Sequence, residues 1–181
     1  MKHFVKTLAV GAVLLAPQIA FAATWNVDPD HSSVGFTIKH LMVSNVKGNF
    51  VRFDGKVELD DKELSKSTVS ATVDAGSINT NVQKRDEHLK SPDFFDVEKF
   101  PTMTFVSTRW SKGPKGELKI AGDLTIHGVT RPVVLNARPF SKESKDPWGN
   151  IRRATSATAK IRRQDFGLTW NKALETGGVA V

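Results

Sequence analysis

The chain has 181 residues and carries 26 Lys and Arg against 19 Asp and Glu, a formal net charge of +7. That length suits one domain around one core, and the absence of cysteine excludes disulfides, thiolate metal sites and cysteine nucleophiles together. Charges of both signs are interspersed, so the basic excess is compatible with attraction to anionic lipid and is a weak nucleic-acid footprint; no nucleic-acid partner is expected.

The first predicted element is a leader. Lys2 and Lys6 give a positive start, Thr7 to Leu15 a short apolar run, and Ala20-Phe21-Ala22 small residues where a signal peptidase reads. Residues 1–22 are therefore expected to be a signal peptide cleaved before Ala23, leaving residues 23–181 as a periplasmic or secreted domain. Pro17 and the brevity of the run argue against an uncleaved anchor, and no later stretch approaches the roughly 18 apolar residues of a membrane span.

Asp28, Asp30 and His31 follow. Calcium loops need more oxygens than these supply, so an N-terminal turn accounts for them and no metal site is expected. Strand after strand then appears in period-two alternation: Val34, Phe36 and Ile38; Val51, Phe53, Gly55, Val57 and Leu59; Val69, Ala71 and Val73. Leu118, Ile120, Gly122, Leu124 and Ile126 continue it, then Val133, Leu135 and Ala137, and with small residues Ala154 to Ile161. Turn signals separate them at Lys47-Gly48-Asn49, at 112–116 and at Asp146-Pro147-Trp148-Gly149-Asn150. Gly35, Gly55 and Gly122 within strands fit bends or close backbone approaches.

One segment breaks the rhythm. Asn81 to Lys90 lacks alternation and is rich in helix formers, which predicts a short helix. Ser91-Pro92 then looks like a second helix start, with Ser91 as N-cap. Phe94, Phe95, Val97 and Phe100 crowd together there and must lie over something apolar, as a lid or plug. The whole predicts an all-β fold, an extended antiparallel barrel with a short helical lid segment. A barrel of about eight strands leaves room for one ligand.

Catalytic patterns are missing. There is no G-x-S-x-G elbow, no glycine-rich phosphate loop and no histidine pair at metal spacing among His31, His40, His88 and His127. Asp86 and His88 diverge on a helix, and Glu58, Asp60 and Asp61 sit at a polar strand end. Parity puts His40 on the face of Val34, Phe36 and Ile38, at the strand end, and His127 on the wet side as a surface turn residue. Arg152-Arg153 and Arg162-Arg163 read as solvated strand ends, since alternation sends adjacent arginines to opposite faces. No enzyme and no cofactor are expected.

The stretch Arg85-Asp86-Glu87-His88-Leu89-Lys90-Ser91-Pro92-Asp93-Phe94-Phe95-Asp96, with Phe100-Pro101-Thr102-Met103-Thr104-Phe105 after it, resembles the YceI-like family of polyisoprenoid-binding proteins. So do Gly122-Asp123-Leu124-Thr125-Ile126-His127-Gly128-Val129-Thr130-Arg131-Pro132-Val133, Asp146-Pro147-Trp148-Gly149 and Asp165-Phe166-Gly167, and the resemblance spans residues 24–178. It implies a lipocalin-like barrel whose apolar tunnel holds a polyprenyl chain, sometimes quinone-linked, in periplasmic or secreted proteins, several of them stress-responsive. Two departures stand out. Family members continue past Gly177-Gly178 into one further strand, so the final strand is apparently missing and a fragment is the favoured account, with closure from elsewhere as the other. Thr155 and Arg163 share parity with Ala157, Ala159 and Ile161, so either they roughen that wall of the tunnel or the register shifts there.

On this reading Phe36, Ile38, His40, Phe53, Val57, Val73, Phe105, Leu124 and Ile126 line the tunnel, and Leu89, Phe94, Phe95 and Phe100 form the lid. Arg85, Asp86 and His88 at the rim would meet a head group, or else form a salt-bridge cluster on the helix surface. The expected partner is a polyisoprenoid or isoprenoid-quinone lipid, with transient membrane contact and a monomer or homodimer. Two alternatives remain: a barrel filled by its own side chains that serves as an interaction module, and a lipid enzyme built around His40.

Overall fold

The structure, a computed structural model, describes residues 22–41 and 43–173. The expected signal peptide, Ala22 apart, and the Gly177–Val181 terminus lie outside them. Three antiparallel sheets make up the fold. The largest has seven strands in the order β1 (Ala23–Asn26), β4 (Phe53–Leu59), β5 (Thr68–Asp74), β7 (Thr102–Lys112), β8 (Leu118–Ile126), β9 (Val129–Ala137) and β12 (Ala157–Thr158). It curls into a half-barrel. A three-stranded sheet joins β2 (Val34–His40), β3 (Ser44–Phe50) and β6 (Ile78–Asn79), and a small hairpin pairs β10 (Ser144–Lys145) with β11 (Ile151–Arg152).

The alternation that predicts the strands is the alternation of burial. In β2, Val34, Phe36, Ile38 and His40 are half-buried while Gly35, Thr37 and Lys39 are exposed. In β8, Leu118, Ile120, Gly122 and Ile126 are buried. Facing strands keep these faces in register: Phe53 lies opposite Val73 and Val73 opposite Met103, while Phe105 lies opposite Leu124 and Trp110 opposite Ile120. The helix α1 (Gln83–Lys90) forms within the predicted segment.

Several expectations are corrected. Lys47-Gly48-Asn49 is not a turn; it lies inside β3, which runs antiparallel to β2 with Ser44 opposite His40. Gly48 is there for space, because a β-carbon would come within 2.4 Å of the Phe36 ring. Val51 falls outside β4 and is 53 % exposed. Ser91 starts no second helix. It ends α1 instead, its hydroxyl donating to the His88 carbonyl at 2.8 Å, and a turn carries the chain through Pro92 to Phe95. The strand expected over 154–161 shrinks to Ala157–Thr158. Its alternating residues are small and all exposed, so no burial enforces the pattern. Thr155 is exposed and donates to the Arg138 carbonyl, so it roughens no inner wall, while Arg163 is half-buried in a short 3-10 turn, its Nη1 donating to the Leu168 carbonyl at 2.6 Å.

Among the described residues the large sheet does not close, since β1 and β12 stand at opposite edges of its order. Over the described residues the expected antiparallel barrel is thus a curled half-barrel, an apolar trough with the three-stranded sheet and the α1 segment over one end.

Candidate ligand-binding site

The trough holds two apolar clusters. At one end Phe50, Val73, Ala75, Ile78, Met103, Ile126, Phe166 and Leu168 are buried, with Phe36, Phe53, Leu89, Phe95 and Val97 packed on them. At the other, Leu59, Phe105, Trp110, Leu118, Ile120 and Ala137 are buried, with Trp25, Val57, Val69, Leu135 and Phe140 against them. Leu124 packs against both and links them. Of the predicted lining, Phe36, Phe53, Val73 and Ile126 therefore belong to the first cluster and Val57 and Phe105 to the second. Ile38 and His40, half-buried on β2, stand outside both.

Of the residues expected as a lid, Leu89 and Phe95 pack on the first cluster. Phe95 meets Phe50 edge-on at 5.8 Å, and Phe94, 6 % exposed, packs with His88 and Trp170 at ring distances of 5.1 and 5.2 Å. Phe100 packs on His127 at 4.6 Å. His127 is half-buried rather than a free surface residue, because its hairpin turn, left-handed at both His127 and Gly128, folds the ring against Phe100.

The three rim residues have local partners. Asp86 accepts from the Thr80 amide at 2.9 Å and from its hydroxyl at 2.6 Å, while Arg85 donates to the Thr80 hydroxyl and carbonyl at 2.7 and 2.8 Å. Thr80 is 5 % exposed, so this network pins α1 to the end of β6. His88 pairs with Asp93 at 2.8 Å.

The second cluster is legible from the sequence only in part: Val57 and Phe105 are expected lining, whereas Trp110 and Arg153 are not. Trp110 escaped because β7 carries a bulge between Ser107 and Arg109, which moves the inward face from odd to even positions. The Ser107 hydroxyl there accepts from the Val69 amide at 2.8 Å. Arg153 escaped because its partners are remote in sequence. It is no solvated strand end: its side chain is 13 % exposed and its Nη1 donates to both Asp61 oxygens at 3.1 and 2.8 Å. Its Nε donates to the Ser141 carbonyl at 3.0 Å, and its guanidinium lies 5.8 Å from the Trp25 ring centre and 5.4 Å from that of Phe140. Trp110 lies parallel to Phe140 at 6.5 Å. A cleft of about 240 Å³ opens here, lined by Leu59, Asp61, Leu118, Phe140 and Arg153 among others.

Arg152 is likewise engaged, bridging Asp28 and Asp146. Asp28 also accepts from His31 Nδ1 at 2.8 Å and caps the turn at Pro29–His31, so that donor cluster is a charged corner. The His31 ring first, then Arg152, holds its carboxyl below the usual carboxylate range. Asp146 is held far below that range, first by the Asn150 side chain and then by Arg152 and the Asn150 and Trp148 amides.

The profile of the YceI-like domain matches residues 25–181. A UPF0312 protein of Vibrio cholerae is 38 % identical over 170 residues, which cover 93 % of this chain and 89 % of that protein. The crystal structure of the Campylobacter jejuni YceI protein superposes with a TM-score of 0.62 at 38 % identity, over 78 % of this chain and 82 % of that one. A domain from Saccharophagus degradans shares the fold at 16 % identity, with a TM-score of 0.51 over 67 % of this chain and 71 % of its own. The chain belongs to the YceI-like family.

Proposed function

We propose that this protein carries a polyisoprenoid lipid in its trough and catalyses nothing. The observation that carries the reading is the continuous apolar lining from Phe50 through Leu124 to Trp110, with Phe95 of the expected lid packed on it at one end. The solved Saccharophagus degradans neighbour is a polyisoprenoid binding domain, which supports the same ligand class. Burying each methylene contributes about 0.8 kcal/mol, so a few isoprene units exceed the roughly 8 kcal/mol of micromolar binding before ordering costs. No polar code is needed for such a chain. The leader pattern at residues 1–22 supports a periplasmic or secreted site of action, where a lipid passing between membranes needs cover from water. Trp148, 82 % exposed at the tip of the β10–β11 hairpin, supports brief contact with a membrane surface during loading.

Native mass spectrometry of the protein purified from a lipid-replete host, followed by denaturing extraction, tests the reading. A stoichiometric adduct on an isoprene mass ladder is expected. A clean unliganded mass, with no uptake of added prenyl lipid, would favour the filled barrel serving as an interaction module.

A further inference from the structure

The large sheet ends in two edges, β1 on one side and β12 beside β9 on the other, and one stretch of chain reaches between them. Beyond β9 the chain runs out and back as an arm, residues 138–156. It extends the β9–β12 pairing, with the Arg138 amide on the Ser156 carbonyl at 2.9 Å and the Ser141 amide on the Ala154 carbonyl at 2.8 Å, and ends in the β10–β11 hairpin. The returning half of this arm meets the far edge. Arg152 pairs with Asp28, just past β1, and Arg153 with Asp61, just past β4, while the Arg153 guanidinium lies over the Trp25 ring of β1. Among the described residues β1 has strand pairing with β4 alone, so the seam between arm and edge is held by side chains rather than by a ladder.

The seam is already parted at one place. The cleft of about 240 Å³ has Asp61 on the β4 side and Pro139, Phe140 and Arg153 on the arm. Leu59 and Leu118 in its lining are also buried members of the second cluster, so the cleft gives onto the trough.

We infer that the ligand enters and leaves here, the arm swinging away from the β1–β4 edge as a gate latched by Arg152–Asp28 and Arg153–Asp61. The inference rests on the carrier reading and gives it a route. The alternative route, under α1, is fastened by hydrogen bonds to the buried Thr80, and opening it would strand polar groups. The latches face water instead: the Asp61 side chain is 64 % exposed and that of Asp28 30 %. Ion pairs so placed are weak and screened by salt. Each arginine also keeps a partner on its own arm, Arg152 with Asp146 and Arg153 with the Ser141 carbonyl and the Phe140 ring. The arm can therefore leave the edge without baring an unpaired guanidinium.

The test follows the exchange of deuterated for unlabelled geranylgeraniol on the delipidated protein by native mass spectrometry. The chain has no cysteine, so Asp61→Cys with Arg153→Cys puts a single reactive pair across the seam. Bridging that pair with a short bismaleimide should slow exchange more than about tenfold against the same variant capped with N-ethylmaleimide, at equal occupancy, because the bridge removes the open state. In the unsubstituted protein, sodium chloride at about 1 M, where the Debye length is about 3 Å, should speed exchange about threefold. Asp28→Asn with Asp61→Asn should exchange fast already and respond little to salt. Equal rates for bridged and capped protein place entry elsewhere and overturn the gate, while the carrier reading stands. If the cysteine variant does not fold, an unsubstituted protein whose exchange is unmoved by salt overturns the gate equally. No binding of geranylgeraniol to the unsubstituted protein defeats the carrier reading, and the gate falls with it.

Discussion

At Gly122 a β-carbon would come within 2.5 Å of both the Phe105 ring and the Val106 carbonyl oxygen. The ring of Phe105, 7 % exposed, thus lies across the backbone of β8 at the waist of the trough, next to Leu124. Only glycine lets the aromatic settle that low. Gly122→Ala is expected to destabilise the fold by roughly 1–3 kcal/mol, the usual cost of overpacking, because neither the ring nor the carbonyl has room to retreat. Urea unfolding followed by tryptophan fluorescence measures it, and an unchanged midpoint would mean the ring has a second resting place. The same residue bears on function. Phe105 raised from its seat by alanine would narrow the passage between the clusters, so the variant should also lose bound lipid, whereas a barrel filled by its own side chains has no lipid to lose.

Among the elements, α1 is held by polar chemistry more than by its own apolar face. It buries no residue fully, and its attachment runs through Arg85, Asp86 and the buried Thr80. Asp86→Ala leaves the Thr80 amide and hydroxyl proton without an acceptor and should cost about 1–3 kcal/mol. Lipid retention in the folded fraction should be unaffected, which native mass spectrometry checks; lipid lost at full stability would assign Asp86 to the head group instead. How far such elements are legible in sequence depends on what enforces them. Strands β2, β4 and β8 announce themselves because one face is buried and the other wet. The exposed stretch around Ala157 imitates that pattern with small residues, and nothing there enforces pairing beyond Ala157–Thr158. The parity rule fails inside β7, where one bulge re-aims Trp110, and adjacent arginines betray nothing of partners such as Asp28 and Asp61 that the fold brings from far along the chain. The first end of the trough is therefore readable, and the second only through Val57 and Phe105, without Trp110 or Arg153.

For the whole molecule, the proposed carrier role requires that a lipid enter the trough without crossing water. The β10–β11 hairpin offers chemistry suited to a membrane surface. Trp148 is 82 % and Ile151 50 % exposed, Lys145 flanks the turn on β10, and residues 23–181 carry a formal excess of +5, Lys2 and Lys6 lying in the leader pattern. An amphipathic indole favours the interfacial layer, and basic residues are drawn to anionic lipid within a Debye length. The turn beneath is stiff: Asp146 accepts from the Trp148 and Asn150 amides, the Asn150 side chain and Arg152. Trp148 is presented on a braced tip, so little ordering is lost when it meets the membrane. Trp148→Ala is expected to lower partitioning onto vesicles containing phosphatidylglycerol about tenfold, the worth of half-burying an indole, with urea stability unchanged because the ring buries little in the free protein. Raising salt should weaken the residual binding of both forms, and lipid exchange with donor vesicles should slow in proportion to the lost partitioning. Partitioning unmoved by the substitution would place the membrane contact on another surface and leave the hairpin a structural brace.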